Sequence, residues 1–396
     1  MFNMARVQLK RGEEGRIKGG HPWVYRTEIE TIYGTFEPGD IVAVEDHRGR
    51  FIGRGYINPA SMITVRILTN DRDEKIDKVF WRRRLTAAVD YRRRVLAGAG
   101  TDAYRVVFGE ADFLPGLIVD KFGPYLVVQT LALGIERFKE TLVEILDELL
   151  QPAGIYERND APVRELEGLE LRSGFLKGPF DPQVIIQENG LKFYVDLAAG
   201  QKTGYFLDQR ENRAALQSLV KGARVLDCFC HTGGFSVHAA HYGAREVLGL
   251  DISPEAIAMA RRNAVLNGFG NLCSFEEANV FDALREFERR KERFDVVILD
   301  PPAFVKARKA LKGAIRGYKE INLRAMKLLS PGGFLVTCSC SYHMPEDLFL
   351  EVIQSAAMDA RRRLRLLARR GQAIDHPVIL GYDESRYLKC LLLEII

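Results

Sequence analysis

The chain has 396 residues, 47% of them hydrophobic and 28% charged, which suits an ordinary folded protein of more than one domain and excludes the disordered and fibrous classes. No run approaches the roughly 18 uninterrupted apolar residues of a membrane span, and Met1–Lys10 has neither the apolar core nor the cleavage pattern of a signal peptide, so a cytoplasmic protein is expected. The formal net charge of +4 says little by itself, and the six cysteines lack the regular spacing of a secreted disulfide framework, which suits a reducing compartment.

From Arg6 to about Asn70, short alternating runs at Ile41–Glu45, Phe51–Tyr56 and Met62–Leu68 are separated by Gly- and Pro-bearing turns, and predict a small barrel-like β unit. Within it, Gly19-Gly20-His21-Pro22-Trp23-Val24-Tyr25 has two readings: a surface for single-stranded or looped RNA, or a tight turn that packs Trp23 into the barrel. Asp71–Asp77 reads as a linker into a helix bearing Trp81-Arg-Arg-Arg84 and Tyr91-Arg-Arg-Arg94, on which Arg83 and Arg94 share a face after three turns. That stripe is either a solvated face partly neutralised by Asp90 and the acidic residues before Trp81, or a phosphate contact. A second basic run, Arg361–Arg365 through Arg369-Arg370, is read as the close of a helix, where cations suit the dipole. Strand patterns at Tyr104–Phe108, Leu117–Val119 and Tyr125–Thr130 and an amphipathic pattern at Glu136–Leu150 predict a second, α+β unit over residues 72–185.

From Gly190 onward strands alternate with helices. Strands are expected at Lys192–Leu197, Arg224–Cys228, Glu246–Leu250, Cys273–Glu277, Phe294–Leu299 and Phe334–Cys338, and helices at Phe235–Tyr242, Pro254–Asn267, Val280–Arg290 and Tyr318–Leu329. Such alternation predicts an α/β domain, a mainly parallel sheet with helices on both faces. A helix after Pro345 and strands near Leu364–Ala368 and Tyr387–Ile395 complete it. The expected organisation is therefore 1–71, 72–185 and 186–396.

Two strand ends carry the chemistry. Phe334-Leu-Val-Thr-Cys-Ser-Cys-Ser-Tyr-His-Met344 places thiols at the close of a buried strand, and Asp300-Pro-Pro-Ala-Phe304 follows the strand before it. In an open α/β sheet both face the crevice where ligands bind. Cys340, at the strand mouth, is the candidate nucleophile, whereas Cys338 falls where the strand is still buried and reads as a small core residue. The first crossover, Val225-Leu-Asp-Cys-Phe-Cys-His-Thr-Gly-Gly-Phe-Ser236, is a strand, a Gly-Gly turn and a helix without the dinucleotide Gly-x-Gly-x-x-Gly, which favours a smaller adenosine-type ligand. Asp251, about twenty residues on, is placed to accept two ribose hydroxyls, Asn279 to read an adenine edge, and Asp227 to approach the ligand's amino group. Asp251 and Ser253 compete as caps of the following helix. A metal at Cys228, Cys230 and His231, or at Cys338, Cys340 and His343, is disfavoured because Cys-x-Cys inside a strand lacks the knuckle spacing, and none is expected.

In this order, Asp196-Leu-Ala-Ala-Gly-Gln-Lys-Thr-Gly-Tyr-Phe-Leu-Asp-Gln-Arg210, Cys230-His-Thr-Gly-Gly-Phe235, Asp300-Pro-Pro-Ala-Phe304, Arg316-Gly-Tyr-Lys-Glu-Ile-Asn322, Ser339-Cys-Ser341 and Asp375-His-Pro-Val378 resemble the RlmI-type large-subunit ribosomal RNA cytosine-5 methyltransferases over nearly the whole chain. The resemblance implies an N-terminal PUA domain, a central α+β domain and a Rossmann-like class I methyltransferase domain with a seven-stranded sheet. It implies S-adenosylmethionine as cofactor, held by Tyr205, Phe206, Asp208, Arg210, Asp227, Thr232, Gly233, Gly234, Asp251, Ile252, Asn279 and Asp300. The implied partner is 23S rRNA or a large-subunit assembly intermediate, with a homodimer as an allowed assembly. Cys340 and Asp300 are then catalytic: a thiolate adds to C6 of cytosine, and Asp300 hydrogen-bonds the N3 and amino edge. Pro301 and Pro302 set the turn against the substrate, and Phe304 either stacks on an extruded base or packs in the core. Many cytosine-5 enzymes acting on RNA carry a second cysteine where Ala303 and Phe304 stand, so the base that removes the C5 proton is unassigned. Two other readings stand beside this one: an RNA N-methyltransferase using the Asp300 turn without a thiol, and a non-catalytic RNA-binding ribosome-assembly protein.

Overall fold

A computed structural model describes residues 4–304 and 311–396. The chain divides into two compact units. The first comprises Met1–Gln187, Val195–Leu207 and Ile374–Ser385, and the second Glu188–Tyr194, Asp208–Ala373 and Arg386–Ile396.

The first unit begins with β1 (Arg6–Leu9), β2 (Trp23–Tyr25), β3 (Ile29–Tyr33), β4 (Ile41–Glu45), β5 (Phe51–Ile57) and β6 (Ile63–Thr69), which form a six-stranded sheet in the order β2-β6-β5-β4-β1-β3. Alternation sorts the faces: in β4, Val42 and Val44 are buried and join Val7, Leu9, Val24 and Val65 in one core. Trp23 is half-buried, with its indole N–H donating to Glu110 Oε1 at 2.8 Å and its ring edge-on to His21 and Tyr382.

A five-stranded sheet follows, built from β7 (Ala103–Phe108), β8 (Leu117–Phe122), β9 (Tyr125–Thr130), β10 (Gly154–Asn159) and β11 (Arg172–Lys177) in the order β11-β10-β9-β8-β7. The helices Lys78–Val95 and Lys139–Leu150 supply Trp81, Leu85, Val89, Leu142, Ile145 and Leu146 to its core. Asp77 caps the first of these helices, its carboxylate accepting from the N–H groups of Val79 and Phe80. β10 and β11 have no counterpart among the expected elements. The sequence Gly154-Ile-Tyr-Glu-Arg-Asn159 is polar at its end, yet Glu157 and Arg158 are buried because Lys139 Nζ lies 2.8 Å from Glu157 and the Arg158 guanidinium donates to the carbonyls of Leu197 and Gly200. Arg92, fully buried on its helix, donates to the carbonyl of Asp375 at 2.8 Å, and the Asp375 carboxylate accepts the Arg105 N–H at 2.8 Å, which ties Ile374–Ser385 into this unit.

β12 (Gln183–Glu188) and β13 (Leu191–Asp196) form a two-stranded sheet around Asn189-Gly190, both at positive φ as a type I′ turn requires.

The second unit is built on β14 (Arg224–Cys228), β15 (Glu246–Asp251), β16 (Cys273–Glu277), β17 (Phe294–Leu299), β18 (Leu329–Ser339), β19 (Leu364–Arg370) and β20 (Lys389–Ile395). Their order is β16-β15-β14-β17-β18-β20-β19, with β16 through β18 mutually parallel and β20 antiparallel to both neighbours. This is the α/β sheet that the alternating pattern predicts. Its central strands are buried on both faces, so Val296, Val297, Ile298 and Leu299 read as an unbroken apolar run. The helix Leu311–Leu328 buries Ala314, Tyr318, Ile321, Ala325 and Leu328, a stripe at helical spacing, against this sheet. The strand order reverses between β14 and β17, and the candidate residues sit at the carboxyl ends on either side of that reversal.

Candidate active site

The turn after β14 is held in an unusual backbone path. Phe229, His231 and Gly233 have φ of 64°, 50° and 81°, and the helix Gly234–His241 starts at once. Only glycine takes φ of 81° without strain, and a Cβ on Gly233 would lie 3.1 Å from that of Ala260. The turn is pinned to β15, because Cys230 N–H donates to the Leu250 carbonyl at 2.9 Å and His231 N–H to Asp251 Oδ2 at 2.9 Å. Gly249 makes this approach possible, since a Cβ there would stand 2.5 Å from the Phe275 ring and 3.1 Å from Cys230 Sγ.

Asp227 closes the floor of the turn. It is fully buried, Ser236 Oγ donates to its Oδ2 at 2.6 Å, and burial, together with Asp300 and Asp251 and against the Ser236 bond, pushes its carboxyl up to about 7. Its Oδ1 and the Thr232 hydroxyl are buried without a hydrogen-bond partner among the described residues. Buried polar atoms are normally satisfied, so this pair fits a polar ligand seated on the Gly233-Gly234 turn. Asp251, half-buried, holds backbone N–H groups of His231 and Ser253 but does not cap the next helix; Ser253 does, accepting from Ala256 N–H at 3.1 Å. The Asp251 carboxylate is thereby oriented and left for another role. Asn279 caps the helix Val280–Arg289 through its Oδ1 and is exposed, as is Ile252.

Asp300 follows β17 and is half-buried. Its Oδ1 accepts from Gln209 Nε2 at 2.8 Å, Gln209 Oε1 accepts from Asn212 at 2.7 Å, and Arg370 donates to Asn212 Oδ1 at 3.0 Å. This relay fixes the carboxylate's direction. Gln209 lies inside the quoted 196–210 segment, but no spacing in the sequence pairs it with Asp300. Pro301 is buried, Pro302 exposed, and Phe304 packs on Tyr318 at 4.7 Å between ring centres and near Phe281 and Phe229, keeping part of its surface open.

At the end of β18 the two thiols part company. Cys338 lies directly opposite Cys390 and is fully buried; the hydrogen bond from Cys390 and burial push its thiol well above the ordinary range, so it stays neutral. Of the six cysteines, Cys340 alone is half-exposed, with Sγ 3.9 Å from the Pro301 carbonyl. The serines on either side share one phenol: Ser339 Oγ donates to Tyr318 Oη at 2.9 Å, and Ser341 Oγ lies 3.0 Å from it. Lys389, at the start of β20, pairs with Ser339 in the sheet and sends its ammonium to the Ser341 carbonyl at 2.7 Å. Sequence reading did not single out Tyr318 or Lys389 as site residues.

The second unit thus brings together Asp227, Thr232, Gly233, Gly234, Asp251, Asp300 and Cys340 along one edge of its sheet. Asp208 and Arg210 are buried in this unit too, Asp208 accepting from the Tyr387 hydroxyl at 2.5 Å. Tyr205 and Phe206 belong to the first unit, where Tyr205 is buried and Lys202 Nζ sits 4.6 Å from the Phe206 ring centre. Arg83 and Arg94 are exposed on their helix in the first unit; Arg83 pairs with Glu74, and Arg94 has no carboxylate partner among the described residues. No helix among the described residues is long and apolar enough to cross a membrane, and none of their His, Cys, Asp and Glu side chains cluster in threes as metal ligands.

Comparison with known proteins gives the family. Residues 172–392 match the family profile for S-adenosylmethionine-dependent methyltransferases, and residues 7–70 that of the PUA-like domain. The chain is 42% identical over 389 residues to the Ribosomal RNA large subunit methyltransferase I of Salmonella arizonae, covering 98% of this chain and 96% of that one. It is 42% identical to the protein of the same name from Tolumonas auensis, with 98% and 99% covered. Among solved structures, SMU.776, a candidate methyltransferase complexed with SAH, shares the fold with a TM-score of 0.85 over 99% of this chain and 100% of its own at 20% identity. The unsatisfied Asp227 and Thr232 atoms above the Gly233-Gly234 turn suit the polar amino-acid end of S-adenosylmethionine. The chain therefore belongs to the family of S-adenosylmethionine-dependent methyltransferases, with a PUA-like N-terminal domain, that the large-subunit ribosomal RNA methyltransferase I proteins represent.

Proposed function

We propose that the protein methylates C5 of a cytosine in 23S ribosomal RNA through a transient bond between Cys340 Sγ and C6. The observation that carries the reading is the contrast between the thiols: the one half-exposed cysteine stands at the strand mouth beside the Asp300-Pro301-Pro302 turn, while the other five are buried. C5 of cytosine is too poor a nucleophile to be alkylated directly. Addition of the Cys340 thiolate at C6 drives the ring π electrons toward C5, and Asp300, held by Gln209, hydrogen-bonds the N3 and amino edge where charge develops. S-adenosylmethionine, when bound, supplies the electrophilic methyl group that such a C5 accepts. Loss of the C5 proton and departure of sulfur then restore the ring and the thiolate.

In this reading Asp251 takes the ribose hydroxyls of the cofactor, the amide of Asn279 its adenine edge, and Asp227 with Thr232 its amino-acid end. Asp208, Arg210, Gly233, Gly234 and Ile252 complete the cofactor residues of the second unit. Pro301, Pro302 and Phe304 border the substrate base, and exposed Arg83 and Arg94 contact RNA phosphates. The ribosomal substrate comes from the names of the 42% identical relatives.

The test is incubation of 23S rRNA with labelled S-adenosylmethionine, followed by nucleoside mass spectrometry, with wild type and Cys340→Ala. The expected product is 5-methylcytidine, lost in the variant. An N-methylated nucleoside that Cys340→Ala still forms would overturn the thiol mechanism in favour of nitrogen methylation at the Asp300 turn.

A further inference from the structure

Lys389 is a buried cation that the proposed mechanism leaves unused. The residue is about 4% exposed. Two of its N–H groups are taken by neutral acceptors, the carbonyls of Ser341 at 2.7 Å and Tyr387 at 2.8 Å, and among the described residues no carboxylate lies within ion-pair distance. Glu346, whose charge is felt at Lys389, is already shared between Arg386 and Arg369. A buried ammonium without a counter-ion is costly, and such groups ordinarily lose their proton or acquire a partner. The position decides which partner is at hand. Lys389 faces Ser339 in the antiparallel register and reaches forward to the carbonyl of Ser341 at 2.7 Å, so its ammonium lies against the backbone of the residue that follows Cys340, within electrostatic reach of that sulfur.

We propose that Lys389 holds Cys340 as its thiolate, the sulfur serving as the missing counter-ion. The inference rests on the reading of Cys340 as nucleophile. Proton and electrons balance without another reagent: the thiol proton passes to the Lys389 amine when that is neutral, or to water when it is already an ammonium. Either way sulfur keeps the electron pair that forms the S–C6 bond, and the same pair returns to it when that bond breaks. Lys389 acts through sulfur and is a positioning residue. Burial lowers its ammonium to about 8, the Cys340 sulfur works the other way, Arg386 lowers it further and Glu346 raises it again. Among the described residues, Asp300 stands on the turn whose Pro301 carbonyl lies 3.9 Å from Cys340 Sγ, and the Tyr318 phenol, shared by the serines on either side of Cys340, is raised chiefly by its own burial and is therefore neutral in the working range.

The experiment follows alkylation of Cys340 by iodoacetamide against pH in the full-length protein, read by mass spectrometry of the Cys340 peptide, for wild type, Lys389→Met and Lys389→Arg. The expected wild-type midpoint lies below the ordinary thiol value of about 8.5. It should rise by about one unit or more in Lys389→Met, a roughly tenfold loss of reactivity at neutral pH, and return most of the way in Lys389→Arg. Methylation by Lys389→Met should fall at neutral pH and recover as pH is raised. A wild-type midpoint at or above 8.5 overturns the proposal without recourse to any variant, and so does an unchanged midpoint in folded Lys389→Met. Cys340→Ala separates the two claims: a shifted midpoint together with active Cys340→Ala supports the ion pair and sinks the nucleophile, whereas an unshifted midpoint with inactive Cys340→Ala sinks the pair alone.

Discussion

Replacing Asp227 by Asn tests whether the floor of the cofactor turn is a protonated carboxyl. Burial carries this group from its ordinary value of 3.8 to about 7 in the folded protein, so the folded state binds the proton more tightly than the unfolded one. Stability from this group is therefore fully present below pH 3.8 and is lost as pH rises toward 7, the reverse of a salt-bridged carboxylate. With one pKa unit worth about 1.4 kcal/mol, the upper bound on the total is about 4 kcal/mol, of which about 2 to 3 kcal/mol falls between pH 5 and 8. Asn is uncharged throughout and still accepts the Ser236 hydroxyl bond. Urea unfolding of both proteins across that range should show Asp227→Asn gaining on wild type by about 2 to 3 kcal/mol as pH rises. The same carboxyl should ionise when a cationic amine binds beside it, so cofactor binding near pH 6 should release a proton in calorimetry and Asp227→Asn should abolish that release. A stability difference that stays flat from pH 5 to 8 would refute the argument.

Two further substitutions probe the scaffold around the site. Gly249→Ala places a methyl group 2.5 Å from the Phe275 ring and 3.1 Å from Cys230 Sγ, and should cost about 1 to 3 kcal/mol in urea unfolding while weakening cofactor affinity through displacement of the 229–233 turn. Arg213→Ala strands the fully buried Glu188, whose two oxygens now accept from the guanidinium at 2.7 and 2.8 Å; a loss of about 3 to 5 kcal/mol is expected by thermal or urea unfolding.

The α/β domain was legible because its strands are buried on both faces and its helices on one, which writes unbroken apolar runs and helical stripes into the sequence; Arg224–Cys228, Cys273–Glu277 and Phe294–Leu299 were read to the residue. Where tertiary partners make polar residues buriable, the pattern vanishes. β10 ends in Glu157-Arg158-Asn159 and was missed because Lys139 and the carbonyls of Leu197 and Gly200, remote in the chain, are what allow it to sit inside a sheet. β18 begins five residues before the expected Phe334, its pairing with β17 carried across a register shift at Pro331-Gly332-Gly333 that hides the continuity.

The same division runs through the site. Gly233-Gly234, Asp251, Asp300 and Cys340 were visible from sequence, since each follows a recognisable strand and the carboxyl ends of parallel strands face one crevice. Sequence also placed Cys338 inside the buried strand and Cys340 at its mouth. Only tertiary structure shows what separates them: β20 lays Cys390 against Cys338 and seals it, while the strand runs out at Ser339 and leaves Cys340 half-exposed. The antiparallel return of β20 that buries the first thiol also carries Lys389 to the carbonyl of Ser341, beside the second, a contact across 48 residues that no local pattern encodes because it exists only once the sheet is paired.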